Sequence, residues 1–182
     1  MRKLVVLFLA LALTLSSIAQ DNTSVSSEKN VLKVNTLALL LGTGSIFYEH
    51  SFSDLTSGQL GLGFSSYKIG DTKMGGLILT PEFRIYPKKD AIDGFYIAPY
   101  LRYQKFSLEN TSSSDKGTFT NMGGGVAFGR QWITNSGFTM DLFFGGHYGS
   151  SKIKVEAGTN SFDTDKLEGF RPRLGFALGF AF

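Results

Sequence analysis

No cysteine occurs in the 182 residues. That excludes disulfides, thiolate metal sites and a lipid anchor carried on cysteine, so an exported chain of this kind must hold together by packing and hydrogen bonds. Histidine is nearly as scarce. His50 and His147 are the only two, and no paired ligand spacing accompanies them, so a metal centre has no support. Beyond the first fifteen residues there is no run of eighteen apolar residues, which excludes a transmembrane helix. A strong charge of one sign is missing too. Loss of Arg2 and Lys3 with a cleaved leader leaves sixteen basic against fifteen acidic residues, a net charge of +1. The pI of 9.1 therefore makes no case for nucleic acid.

What is present is glycine, at 22 residues, aromatic side chains, at 14%, and alternation. Between Phe170 and Phe182 the even positions read Phe, Pro, Leu, Phe, Leu, Phe, Phe, and the odd ones Arg, Arg, Gly, Ala, Gly, Ala. Successive side chains of a strand point to opposite faces, so one face is apolar and the other small or cationic. Lipid outside and a tight polar lumen inside demand this pattern. A spanning chain without helices must close into a barrel, because lipid cannot satisfy an open sheet edge. The expected fold is all-β: a closed, antiparallel, eight-stranded transmembrane barrel of up-and-down topology.

The N-terminus, Met1-Arg2-Lys3 followed by apolar Leu4 to Leu15 and then Ser16-Ser17-Ile18-Ala19, reads as a secretory signal peptide, residues 1–19. A polar lead-in, 20–30, precedes the barrel, 31–182. Clusters of Gly, Pro, Asn, Asp and Ser divide the barrel into strands at about 31–41, 45–52, 59–68, 74–86, 94–108, 118–133, 138–150 and 169–182. With both termini periplasmic, the short connections 53–58, 87–93 and 134–137 lie inside and the longer ones outside, the longest about 151–168, with the tight Gly42-Thr43-Gly44 turn as the outer exception. Eight is the smallest closed barrel, and its lumen is expected to be filled by side chains, which argues against a general-diffusion pore.

Parity sorts the faces. Leu77, Leu79, Pro81, Phe83 and Ile85 point outward, with Thr80, Glu82, Arg84 and Tyr86 inward. Phe95, Ile97, Pro99, Leu101 and Tyr103 point outward, with Tyr96, Ala98, Tyr100, Arg102 and Gln104 inward. Tyr48, Tyr103, Trp132 and Tyr148 suit interfacial belts. The inward charges are Lys33, Glu49, Glu82, Arg84, Arg102, Asp141, Arg171 and Arg173. Five cations and three acids should form a structural ion-pair network in place of an apolar core, with some groups near the ends reaching water. Pro81 and Pro99 cannot donate to a ladder, so they should mark bulges or irregular positions.

Lys33-Val34-Asn35-Thr36-Leu37, Tyr48-Glu49, Pro81-Glu82-Phe83-Arg84-Ile85-Tyr86 and the run Gly94 to Tyr103 carry a resemblance. The chain resembles a family of small outer-membrane β-barrels of unknown function typical of Bacteroidota-type bacteria, with OmpA/OmpX-like architecture. The terminal phenylalanines resemble the C-terminal assembly signal of such barrels, which gives Phe180 and Phe182 that role. The resemblance implies fold and location but no catalytic residue.

Some eight-stranded barrels are rim enzymes that modify lipid A. Here His147, Ser150 and Glu156 lie near one rim, but three residues separate His147 from Ser150 and place them on opposite faces. Asp163 and Asp165 read as a solvated loop rather than a Ca²⁺ site. The glycines 123–125 open no helix and cradle no phosphate. The expectation is a monomeric, non-enzymatic outer-membrane protein with a structural, adhesion or envelope-maintenance role and no cofactor. Its partners would be outer-membrane lipid, lipopolysaccharide and, through the last strand, the assembly machinery. The rival readings are a lipid A deacylase or acyltransferase and a soluble lipocalin-like carrier.

Overall fold

The computed structural model describes residues 28–40, 42–88, 91–110, 115–157 and 169–182. The signal peptide, most of the polar lead-in, and Asp163 and Asp165 lie outside the described residues. The strands are β1 (Asn30–Asn35), β2 (Thr43–Ser53), β3 (Thr56–Ile69), β4 (Thr72–Ile85), β5 (Gly94–Asn110), β6 (Lys116–Ile133), β7 (Phe138–Ala157) and β8 (Gly169–Ala181). Each pairs antiparallel with the next, and β8 returns to β1 with Val31 opposite Ala181 and Asn35 opposite Ala177. The seam is locked at its end by Asn30 and Phe182, whose backbones exchange hydrogen bonds of 3.0 and 2.9 Å. The result is a closed all-β, up-and-down barrel without a sheet edge.

One expected strand is shorter than its apolar pattern. Strand one stops at Asn35, and Thr36–Leu40 form a helical turn, α1. The Asn35 side chain is the reason. Its Oδ1 accepts the Ala38 N–H at 3.1 Å, capping a stretch of Leu and Ala that favours helix. The Thr36 hydroxyl donates to the Phe176 carbonyl at 2.9 Å and pins the turn onto β8. Gly42, at φ 78°, reverses the chain as only glycine does easily. Elsewhere strands run longer than expected. β3 already starts at Thr56, because Ser57 turns its hydroxyl into the lumen to meet Glu49.

Alternation sets the two surfaces. Leu32, Ile46, Leu62, Leu77, Leu101, Met122, Phe144 and Leu174, one from each strand, are exposed on the outside, Leu101 by 57% and Leu174 by 64%. Inside, aromatic and small residues of the middle belt pack together, among them Phe47, Tyr96, Tyr100, Ala127 and Phe143. Glycine makes room for them. A Cβ on Gly175 would lie 2.1 Å from the Phe143 ring.

Pro81 and Pro99 produce no bulge. The β4–β5 register is unbroken from Leu79 opposite Tyr103, through Glu82 opposite Tyr100, to Ile85 opposite Ile97. The intervening positions drop out of the ladder, so both prolines sit in one interrupted stretch between the strands that carry them. Each still keeps a regular partner on its other side, Leu60 for Pro81 and Val126 for Pro99. Concentrating both missing donors in one seam leaves the flanking β3–β4 and β5–β6 ladders in register.

Candidate functional site

The lumen has two halves. The half nearer the chain termini is filled by a polar cluster. Lys33 on β1 donates to Glu49 at 2.7 Å, to Asp141 at 2.9 Å and to the Gln131 side-chain carbonyl. Those are all three donors an ammonium has. Arg84 on β4 reaches Glu49 at 3.1 Å, Asp141 at 3.0 Å and Glu82 at 3.4 Å, and its guanidinium stacks on Tyr96 at 4.0 Å. Glu49 takes five donors: Lys33, Arg84, the Gln131 amide at 3.1 Å, and the Ser57 and Tyr86 hydroxyls, both at 2.6 Å. Asp141 also accepts the Tyr96 hydroxyl at 2.7 Å. Lys33, Glu49, Arg84 and Asp141 are fully buried. Buried charges persist only when paired and fully hydrogen-bonded, and here the pairing is dense.

The cluster is supported from below. Gln131 donates to the Ile92 carbonyl at 2.6 Å. Ile92 sits at φ 68°, a backbone conformation costly for a β-branched residue, and is fully buried with Val31 and Ala181. Surrounding packing holds it there, and the three residues close the terminal end.

The sequence-selected charges do not all meet. Lys33, Glu49, Glu82, Arg84 and Asp141 form one connected cluster, and Arg173 joins it through Glu82. Three cations then face three acids. Arg102 and Arg171 stand apart, on the wall of a cavity of about 760 Å³ in the other half of the lumen. Side chains therefore fill only the terminal half. Parity marked Tyr86 and Tyr96 as inward without showing their place in the cluster, and Ser57 was placed in a turn. A neutral hydroxyl or amide carries no signal of its partner in a sequence.

His147 is buried, and its ring lies edge-on to Tyr100 at 6.2 Å. Ser150 is exposed on the opposite face. Glu156 accepts the Thr118 hydroxyl at 2.8 Å on the exposed rim. The three are not assembled into a nucleophile–base–acid array, which requires hydrogen-bond reach. His50 has its Nδ1 2.8 Å from Asn30 Oδ1, beside the seam. Among the described residues no cluster of three or more His, Asp or Glu has metal-binding geometry.

Comparison with known proteins adds a family and a fold. A family model described as "Protein of unknown function (DUF3575)" matches residues 5–166. No curated protein matches the chain. Among solved structures, a major outer membrane protein from Thermus thermophilus superposes with a TM-score of 0.52 at 14% identity, covering 86% of this chain and all of that one. CarO of Acinetobacter baumannii gives a TM-score of 0.50 at 12% identity, covering 88% of this chain and all of that one. At such identities the likeness is one of fold.

Proposed function

Because the chain belongs to the DUF3575 family, described as proteins of unknown function, we propose for it the role of a non-enzymatic outer-membrane barrel. In this reading it serves structure, adhesion or envelope maintenance by presenting its loops, and its lumen is sealed at the periplasmic end. One observation carries this: apolar side chains are exposed on all eight strands while buried charge packs the terminal half of the interior. In water such an apolar girdle is an aggregation liability, whereas in a bilayer it is the required surface. A soluble lipocalin-like carrier needs the inverse arrangement. The fold shared with two outer-membrane proteins supports the same location. In this setting the termini face the periplasm, the exposed Phe180 and Phe182 at the end of the last strand are offered to the assembly machinery, and lipid and lipopolysaccharide surround a monomer.

A lipid A enzyme at the rim is disfavoured by the opposite faces of His147 and Ser150. The sealed lumen is tested by planar-bilayer recording of the purified protein. Wild type should insert without stepwise conductance. Replacing Lys33 and Arg84 together by alanine should open ion-conducting events if the refolded protein still shifts in gel mobility on heating. Steady conductance from wild type would refute the seal.

A further inference from the structure

The cavity in the loop half of the lumen is built unlike the cluster beneath it. Its wall carries Arg102, Arg171, Arg173 and His147, and among the described residues no acidic side chain lines it. The same cavity also has an apolar wall, with Ile78, Phe106 and Phe119 packed together. Arg173 is 7% exposed and His147 5%, yet hydrogen-bonding atoms of both remain unused among the described residues. These are Nη1 of Arg173 and both ring nitrogens of His147, together with Nε of Arg102. Arg173 is held in place by Glu82 on one side and by the rings of Tyr100 and Phe143, at 4.5 and 4.7 Å, on the other. Its free nitrogen is therefore positioned, not mobile.

Buried polar atoms left without hydrogen-bond partners cost free energy. A bound anion would supply acceptors to the donors among them. The apolar wall would receive the rest of such a molecule, and the volume is that of a small-ligand site.

We propose that this cavity binds a small organic anion, its charged group on Arg102, Arg173 and His147 and its apolar body against Phe106, Phe119 and Ile78. The site uses only the lumen and goes beyond the sealed-barrel reading. It can fail while that reading stands, because conductance and binding are measured separately.

The test is equilibrium dialysis of 2-naphthoate against the full-length barrel in lipid nanodiscs, with empty nanodiscs as blank. The folded protein should take up one naphthoate per chain saturably, and the neutral 2-naphthamide should not bind. Arg102→Gln removes no ion pair of the cluster and should fold. It should weaken binding by about tenfold, the usual scale for one charge-assisted hydrogen bond. Ser45→Phe, which fills the cavity without changing charge, should also abolish uptake. Lys152→Gln, at an exposed position on β7, should bind like wild type. Heat-modifiable gel mobility checks that each variant is folded. Equal binding by wild type and Arg102→Gln, equal binding of naphthoate and naphthamide, or no saturable uptake by folded wild type would each overturn the proposal.

Discussion

Lys33 shows how much a single side chain carries here. Its three donors are matched by Glu49, Gln131 and Asp141, all fully buried. Lys33→Met would leave two buried carboxylates facing a single direct cation, Arg84. Breaking a buried pair costs about 3–5 kcal/mol, which urea unfolding of the vesicle-embedded protein should register. Combined with Glu49→Gln, the loss should fall short of the sum by more than about 0.5 kcal/mol, and additivity would contradict a shared cluster. Gly175 makes the opposite point. Gly175→Ala drives a methyl into the Phe143 ring and should cost about 1–3 kcal/mol, and Phe143→Leu should recover part of it in the same unfolding measurement. The inward direction of these residues was legible from parity. Their company was not, because the height at which two non-neighbouring strands meet depends on barrel stagger. That is why Arg102 and Arg171 share a wall with the cavity and stand apart from Lys33, although all three have inward parity.

At the scale of the element, turn residues placed the strands well, and local capping decided where they ended. Leu37 to Leu40 continue an apolar pattern, yet Asn35 converts it into a helical turn by accepting the Ala38 N–H. The prolines pointed to bulges or irregular ladder positions, and the structure shows the latter. Both donors are lost in one seam, so the register of β4 and β5 survives without them. A bulge is one way to lose a donor, and an interrupted ladder is another that alternation does not distinguish. On β8 the two faces should respond to one charge in different ways. Leu174→Arg puts a cation on the outer face, where it costs up to about 2–4 kcal/mol near the midplane and should cut the yield of heat-modifiable, folded protein in vesicles. Leu174→Phe should leave that yield unchanged.

For the whole molecule, the β1–β8 pairing closes the ring, and that closure was legible in the sequence from the alternation along the strands. The division of the lumen into a filled half and a cavity was not, since it rests on side-chain lengths that meet only after the ring closes. The central claim is that the outer surface of the ring faces lipid. The absence of cysteine makes it directly measurable, because single cysteines can be introduced and labelled with an environment-sensitive fluorophore without background. Labels at Leu62, Leu101, Phe144 and Leu174 in reconstituted vesicles should emit as in hydrocarbon and be quenched by lipid-borne nitroxides, but not by aqueous iodide. A label at the exposed Lys152 should respond to iodide alone. Iodide quenching at all four outer positions, with no effect of lipid-borne nitroxides, would contradict a membrane-spanning barrel.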